Sequence, residues 1–177
     1  MNAYSATYGL KAIIIRLSNN YGPYQYPEKL LPNMILKLKF SKKIQLYGKG
    51  LNEREWIYVS DTCNALYKII IEKKIYSDNF NIGSGRTYKN IFIAKTLISK
   101  MCNNKSKDLI TFVTDRPGHD YRYSLNSKKF RKKFNYKTKT LLSEGIEKTL
   151  KWYLENRPWL NYIKKTHTGK RLGIIKK

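Results

Sequence analysis

Residues 10–18 read LKAIIIRLS, a continuous run of mostly apolar residues in which three isoleucines stand together. A strand with one solvated face alternates apolar and polar residues, whereas a strand covered on both faces, as in a parallel sheet, does not. The run is too short to span a membrane, and the residues NNYGP that follow it are typical of a loop. We therefore predict that residues 10–18 form a buried strand of a parallel sheet.

Strand and helix patterns alternate along the rest of the chain. We expect strands at 44–48, 54–59, 80–85 and 109–113, and helices at 31–40, 62–74, 88–101, 126–134 and 141–159. Ser60 or Asp61 is placed to cap the helix at 62–74. This order indicates an α/β domain, although the predicted strands are too few for a complete doubly wound sheet.

The net charge of +24 raises the question of nucleic-acid binding. Only eight of the 36 basic residues are arginine, the better reader of bases and phosphates, and the lysines are scattered along the chain. Lys, Asn, Ile and Tyr are abundant together, as expected of an AT-rich genome. We interpret the charge as a solvated basic surface and predict no specific nucleic-acid partner. Binding by charge alone would weaken steeply with salt and ignore thymidine nucleotides.

The cysteines, Cys63 and Cys102, are too few for a disulfide framework and indicate a reducing, cytoplasmic environment. No apolar run is long enough for a membrane span and no signal-peptide pattern begins at Met1, so we expect no membrane partner. The two histidines, His119 and His167, do not combine with the distant cysteines into a ligand pattern. We therefore predict no metal site.

The loop NNYGPYQYPEKL directly follows the predicted strand at 10–18, at the end where open α/β sheets bind ligands. Asn19 and Asn20 offer amide groups suited to hydroxyls or carboxamides, and Lys29 offers a cation. The alternative is a turn in which Asn and Gly adopt left-handed backbone while the tyrosines pack. Composition alone favours the turn.

The segment IQLYGKGLNEREWIYV places Tyr47 where it can contact a base or sugar, and Arg54 where it can contact a phosphate. The alternative is a hairpin in which Arg54 pairs with Glu53 or Glu55, and local evidence favours neither. A little further on, NIGSGR contains G-x-G but lacks the third glycine of a dinucleotide-binding loop. It is better interpreted as a strand-to-helix turn than as a phosphate site.

The stretch DRPGHDYR, residues 115–122, is the densest cluster of charged residues. Arg116 can bind a phosphate through two hydrogen bonds and His119 can add a donor, while the Pro-Gly pair between them forms a tight turn. The alternative is a salt-bridged loop in which Asp115 and Asp120 neutralise the arginines.

Taken together and in this order, these segments resemble the C-terminal half of the dTDP-glucose 4,6-dehydratases, a family of extended short-chain dehydrogenases/reductases that act on nucleotide sugars. The motifs that carry the resemblance are AYSATYGL, RLSNNYGPYQYPEKLLP, IQLYGKGLNEREWIYVSD, NIGSGRTYKN, VTDRPGHDYRYSLNSKK and EGIEKTLKWYLENRPW. NNYGP and PEKL combined with DRPGHD are specific to this branch. The resemblance implies an α/β fold, the C-terminal part of an extended Rossmann-type enzyme. Residues 1–160 would be mostly its substrate-binding part, with 10–18 a remnant of the parallel sheet and 161–177 a basic, extended tail.

The resemblance also implies contacts for the residues around the first loop. Asn19 would touch the hexose and diphosphate of a thymidine-diphosphate sugar. Asn20 would touch the nicotinamide cofactor, NAD. Lys29 and Leu30 would line the sugar-nucleotide site.

The remaining implied contacts lie further along the chain. Gln45, Leu46 and Tyr47 would border the thymidine, Arg54 would bind the diphosphate and Asn90 would reach the nucleotide. The residues implied to close over the phosphates and nucleoside are Asp115, Arg116, Pro117, Gly118 and His119. This assignment makes DRPGHDYR a diphosphate clamp.

The family's G-x-x-G-x-x-G fingerprint, its Thr/Ser-Asp-Glu trio and its Tyr-x-x-x-Lys pair have no counterpart in this sequence. We therefore expect no catalytic residue in this chain, no catalysis by it alone, and only a small part of the NAD site. The first hypothesis is the substrate-binding half of such a dehydratase, from a split, truncated or partially recorded gene. Its partner would be a separate N-terminal half or a second copy. The alternative is a non-catalytic module that binds sugar nucleotides or polyanions and pairs with a cofactor-binding chain, since an unpaired strand at 10–18 seeks a neighbour.

Overall fold

The computed structural model describes residues 1–72, 77–102 and 108–166. The helices and strands of these ranges are, in chain order, α1 (Asn2–Tyr8), β1 (Ile13–Leu17), β2 (Asn19–Tyr21), α2 (Leu30–Lys39), β3 (Ile44–Tyr47), β4 (Glu53–Tyr58), α3 (Val59–Ile71), β5 (Asp78–Ile82), β6 (Thr87–Lys89), α4 (Asn90–Cys102), β7 (Ile110–Val113), β8 (Arg122–Tyr123), α5 (Lys128–Phe134), α6 (Leu142–Glu155) and α7 (Arg157–Thr166). The predicted α/β class is confirmed. None of the described helices is both long enough and apolar enough to cross a membrane.

Three small sheets organise the fold. β1 pairs with β5 and β3 pairs with β7, both in parallel. In the third sheet β4 is central: it pairs in parallel with β2 and β8, and antiparallel with β6. The parallel pairing predicted from the isoleucine run is confirmed, because Ile13 lies opposite Asp78 and Leu17 opposite Ile82.

Residues 13–21 change sheets at Ser18. The N–H of Ser18 still donates to the carbonyl oxygen of Ile82 on β5, at 3.0 Å, but Asn19 already lies opposite Trp56 on β4. Asn19 and Asn20 therefore belong to a strand, and the prediction of a loop beginning there is wrong. A strand of three residues without an apolar pattern forms because it pairs with a neighbouring strand, here β4. The local sequence does not reveal that neighbour.

The prediction that β1 is buried on both faces is also wrong. Its residues are half-buried, apart from the exposed Arg16, whereas Phe80 and Ile82 on the neighbouring β5 are fully buried. Ile13, Ile15 and Leu17 pack against a cluster that also includes Ile69 of α3. Within the described ranges β1 has one strand partner, so this cluster stays open on the side of β1.

Two clusters of buried side chains form the core. The larger one joins α2, α4 and α6 to the sheets and includes Leu31, Ile44, Leu97 and Tyr153. The smaller one lies between α3, α5 and the β1–β5 sheet and includes Ile57, Ala65, Ile69, Phe80, Ile82, Phe130 and Tyr136. The larger core supports β3 and β4, the two strands whose outward side chains the sequence predicted to bind a ligand.

The predicted side-chain cap of α3 is not formed. The helix already begins at Val59, and its first turn has no side-chain cap. Asp61 instead accepts hydrogen bonds from the backbone N–H groups of Lys139 and Thr140, at 3.1 and 3.0 Å. Asp61 thus holds the segment that leads into α6, a long-range role that spacing along the chain cannot indicate.

The helix predicted at 141–159 is two helices. α6 ends at Glu155, and the side-chain amide of the next residue, Asn156, donates to the carbonyl of Trp152 at 2.8 Å. α7 begins at Arg157, with Pro158 in its first turn. α7 contains the first six residues of the tail predicted to be extended, and that part of the prediction is wrong. Leu160 and Ile163 are buried on one side of the helix, which explains why it continues. Residues 167–177 lie outside the described ranges.

Candidate functional site

Two loops meet where the parallel strands β3 and β7 end. Tyr47, the last residue of β3, lies opposite Val113, the last residue of β7, so the segments that follow both strands leave the sheet at the same edge. Along β3, Ile44 and Leu46 are buried while Gln45 and Tyr47 are exposed. We call the outward surface formed by Gln45, Tyr47 and residues 115–119 the β3–β7 face.

The segment 115–119 folds back onto itself in the predicted turn, with Gly118 at a φ of 65°. The Asp115 carboxylate accepts a hydrogen bond from the backbone N–H of Arg116, at 2.8 Å, and lies 2.6 Å from Nδ1 of His119. The contact with His119 holds the pKa of Asp115 below its usual range. The contact with Asp115 through Nδ1 therefore fixes the orientation of the His119 ring within the turn.

His119 and Tyr47 form the aromatic part of the β3–β7 face. Their ring centroids are 5.8 Å apart and the rings meet edge to face. Only 7% of the His119 side chain is exposed, whereas Tyr47 keeps 38% of its surface in solvent. The turn therefore supports one side of the Tyr47 ring and leaves part of it for another flat group.

Arg116 is not neutralised in the way that the salt-bridged alternative predicts. Asp115 bonds to the backbone of Arg116 and to His119, and the second arginine, Arg122, lies 3.6 Å from Glu53. Within the described ranges the guanidinium of Arg116 has no hydrogen bond or salt bridge, and the residue is exposed. The structure therefore presents a cation at the tip of this turn.

Arg54 lies beside the same turn. Its guanidinium donates to the carbonyl oxygens of Glu53, at 2.7 Å, and Tyr121, at 3.5 Å. Burial lowers the pKa of Arg54, and the charge of Asp120 acts in the opposite direction. The hairpin alternative is wrong, because β4 does not pair with β3 and Arg54 binds backbone carbonyls rather than a glutamate. The fork retains donors for an anion.

Asn90 and Leu46 lie beneath this surface. Asn90 begins α4, and its backbone N–H donates to the carbonyl of Asn52, at 3.0 Å, in the connection between β3 and β4. Its side-chain oxygen is buried and has no hydrogen-bond partner among the described residues. The Leu46 side chain is 1% exposed and faces the larger core, so only its backbone is available to a ligand.

The predicted contacts of the first loop form a separate group. Asn19 adjoins the face only through β4, where its neighbour Trp56 is two residues beyond Arg54. Asn20 is held at both ends of its amide: Thr62 donates to the oxygen at 2.5 Å, and the nitrogen donates to Ser18 at 3.0 Å.

The two predicted contacts at the start of α2 also stand apart from the β3–β7 face. Lys29 is exposed and lies 2.7 Å from Glu28, and Leu30 packs against the larger core. Among the described residues, none of the hydrogen bonds, ion pairs or ring contacts of these two joins them to Tyr47 or His119.

The glycine turn after β5 binds a carboxylate of the protein itself. The N–H of Gly85 donates to Glu55 at 2.6 Å, and the same fully buried carboxylate accepts from Leu125 N–H at 2.7 Å and from the Ser124 hydroxyl at 3.3 Å. The N–H of Gly85 is therefore already used within the protein. Sequence reasoning missed Glu55 as a structural residue, although an acid inside the apolar run REWIYV was a signal.

Lys37 is a second residue that sequence reasoning missed. It lies on α2, and its Nζ donates to the side-chain oxygen of Gln45 at 2.9 Å. Burial lowers the pKa of Lys37, and the nearby Lys42 lowers it further. A lysine between the apolar positions of an amphipathic helix carries no signal in the sequence that it reaches a strand eight residues away.

Residues 1–149 match the sequence model of the family described as GDP-mannose 4,6 dehydratase. The match covers most of the chain, including all the elements that form the β3–β7 face. The chain therefore belongs to the GDP-mannose 4,6 dehydratase family.

Within this family, the individual relatives that the chain resembles are dTDP-glucose 4,6-dehydratases. A probable dTDP-glucose 4,6-dehydratase of Sinorhizobium fredii is 40% identical over 181 residues, which cover 99% of this chain and 51% of the relative. A dTDP-glucose 4,6-dehydratase of Bacillus anthracis, solved in complex with NAD, is 38% identical with a TM-score of 0.82, covering 91% of this chain and 50% of that one. The DesIV dTDP-glucose 4,6-dehydratase of Streptomyces venezuelae, solved with NAD and TYD bound, is 35% identical with a TM-score of 0.84, covering 91% and 49%.

The chain thus spans about half the length of the relatives that it matches. The resemblance to the C-terminal half of the dTDP-glucose 4,6-dehydratases, predicted from the motifs, is confirmed. The alternative of a non-catalytic module that binds sugar nucleotides or polyanions and pairs with a cofactor-binding chain is not favoured.

Proposed function

We propose that the β3–β7 face, with Arg54, binds the nucleotide and diphosphate of a thymidine-diphosphate sugar. The observation that carries the proposal is the convergence of an exposed aromatic ring, Tyr47, with two guanidinium groups, Arg54 and Arg116, around the segment that follows β7. An aromatic ring offers a flat surface to a nucleobase, and guanidinium forks match the geometry of phosphate oxygens. The solved relative with NAD and TYD bound supports this assignment.

We propose further that the chain serves dTDP-glucose 4,6-dehydration, the conversion of dTDP-glucose to dTDP-4-keto-6-deoxyglucose, as the part that holds the substrate. NAD would supply the hydride acceptor and donor of that reaction. The described residues do not by themselves fit NAD, because the one predicted contact, Asn20, already uses its amide on Thr62 and Ser18. We therefore derive no catalytic step from this chain, and we expect none from the chain alone.

Arg54→Ala tests the binding proposal. We expect the unmutated chain to bind dTDP and the variant to bind roughly tenfold more weakly, because a charge-assisted hydrogen bond to phosphate contributes about 1.5–3 kcal/mol and solvent reduces this at a partly exposed site. Isothermal titration calorimetry at fixed ionic strength gives both dissociation constants.

Arg157→Ala is the matched control for Arg54→Ala. It removes the same charge, but Arg157 is an exposed residue at the start of α7 and does not belong to the β3–β7 face. An equal loss of dTDP affinity in both variants would show that binding depends on net charge and would contradict the proposal. So would a dTDP affinity of the unmutated chain that depends only on the salt concentration.

We also propose where the rest of a dehydratase would contact this chain. The smaller core cluster is open at β1, whose second edge has free backbone groups within the described ranges. The adjoining helix α3 exposes Tyr67, Ile70 and Ile71, with 77% of Ile70 in solvent. We assign this surface, β1 with α3, to the half of the dehydratase fold that the chain does not span, because its relatives carry about twice as many residues.

Ile70→Glu tests this contact surface. We expect the chain to co-elute with the complementary half of the Sinorhizobium fredii relative when the two are co-expressed. With the variant, the amount of the complementary half that co-elutes should fall at least tenfold, because a charge would be buried against apolar surface. Leu141→Glu, at a similarly exposed leucine far along the chain, should leave co-elution unchanged. Unchanged recovery with Ile70→Glu would refute the assignment, as would a self-associated dimer that the same substitution dissociates.

We propose a cytoplasmic location for the chain. Cys63 and Cys102 are both free thiols, and Cys63 is exposed. A reducing compartment is where an exposed thiol persists unpaired.

A further inference from the structure

Lys37 fixes the orientation of one side chain on the β3–β7 face. Its Nζ is 2.9 Å from Oε1 of Gln45, and the ammonium group carries donors only. A side-chain amide has one acceptor end and one donor end, and the end that meets an ammonium group is necessarily the oxygen. Gln45 therefore directs its nitrogen, with two N–H donors, away from Lys37.

The amide nitrogen of Gln45 lies on the same side of β3 as the ring of Tyr47. Side chains two residues apart on a strand project from one face, and both of these are exposed while Ile44 and Leu46 are buried. Thr111, the partner of Gln45 on β7, is exposed on this face as well. A base that contacts Tyr47 thus has donors of Gln45 beside it.

The three pyrimidine bases differ in what they offer to such donors. Thymine and uracil present a carbonyl oxygen at C4, whereas cytosine presents an amino group there. A carbonyl accepts a hydrogen bond from the Gln45 nitrogen. The amino group of cytosine is itself a donor and cannot bond to the Gln45 nitrogen, so both donors have to find acceptors in the solvent.

We propose that Lys37 and Gln45 together determine nucleobase specificity at this site, with Lys37 positioning the Gln45 amide so that it selects a base with a C4 carbonyl over one with a C4 amino group. This inference rests on the proposed function, because it requires a nucleotide on the β3–β7 face. Lys37 touches Gln45 and is a positioning residue, and Gln45 is the residue that contacts the base.

The test compares dissociation constants for dUDP and dCDP, which differ only in the donors and acceptors of the base, with dTDP as the reference ligand. For the unmutated chain we expect dCDP to bind about tenfold more weakly than dUDP, the upper range for one hydrogen bond in a partly exposed site. Lys37→Met keeps the length of the side chain but releases the amide, so the ratio should fall to about one to three. Lys39→Met removes the same charge from the same helix and should keep the ratio.

Gln45→Glu provides an independent variant. One carboxylate oxygen would still accept from Lys37 and the other would present an acceptor to the base, so the preference should reverse in favour of dCDP. A general loss of structure would weaken the binding of dUDP and dCDP equally and leave the ratio of their dissociation constants unchanged. The ratio therefore distinguishes an effect on the Gln45 amide from an effect on folding.

The outcomes distinguish the two proposals. If dTDP does not bind, the proposed function fails and this inference fails with it. If dTDP binds and Lys37→Met leaves the dCDP to dUDP ratio at its original value, the site stands and only the role of Lys37 and Gln45 is refuted.

Discussion

Replacing Glu55 with alanine is expected to lower the free energy of unfolding by about 2–4 kcal/mol. The carboxylate is fully buried and accepts hydrogen bonds from Gly85, Leu125 and Ser124, which belong to two segments far from β4 in the sequence. Removing it leaves the backbone N–H groups of Gly85 and Leu125 without their acceptor at partly buried sites, and an unsatisfied group costs about 1–3 kcal/mol where water does not replace the lost partner. Urea denaturation followed by circular dichroism measures the difference.

Glu53→Ala is the matched control, two residues earlier on the same strand. Glu53 lies 3.6 Å from Arg122 and accepts from Thr87 at 3.3 Å, at a site with 22% of its side chain exposed. A loss of less than about 1 kcal/mol is expected there, as for other partly exposed pairs. If both substitutions cost the same, the buried carboxylate does not stabilise the fold in the way described.

Gly83→Ala is expected to destabilise the fold by about 2–4 kcal/mol. A Cβ at this position would lie 2.2 Å from Oε1 of Glu55 and 2.7 Å from its Cδ, and the hydrogen bonds of the carboxylate prevent it from moving aside. The backbone of Gly83 does not have a positive φ, so space rather than conformation requires glycine here. The same denaturation experiment applies, with Ser84→Ala in the same turn expected to be nearly neutral.

A double-mutant cycle separates this clash from a general intolerance of the turn. In a Glu55→Ala background the added methyl group meets no carboxylate, so Gly83→Ala should cost at least 1 kcal/mol less than in the unmutated chain. Strict additivity of the two substitutions would mean that the 2.2 Å approach is not what makes Gly83 necessary.

The sequence predicted those parts of the fold that local patterns define. The isoleucine run of β1, the apolar run of β7 and the helical spacing of α2 and α4 are each visible in a short window, and the structure contains all four. β6 and β8 were missed, because strands of two or three residues exist only through pairing with β4. The burial of β1 was overestimated. A continuous apolar run shows that a strand can be buried on both faces, but it does not show that the fold covers both of them.

The candidate site was predicted to a similar degree and for similar reasons. The turn at Pro117 and the proximity of its segment to Tyr47 agree with the motifs, since both follow predicted strands. Glu55 and Lys37 escaped notice because their partners lie 30 and eight residues away. Leu46 could have been placed by the alternation along β3, which directs it inward.

The strand pairs described above have a consequence for biosynthesis. Ile13 pairs with Asp78 and Ile44 with Ile110, so neither partner strand exists when the first strand leaves the ribosome. At elongation rates of roughly 5–20 residues per second the isoleucine-rich segment waits several seconds for its neighbour. During that interval it is an unpaired apolar strand at the surface of a nascent chain, the kind of segment that chaperones bind and that aggregates when they are scarce.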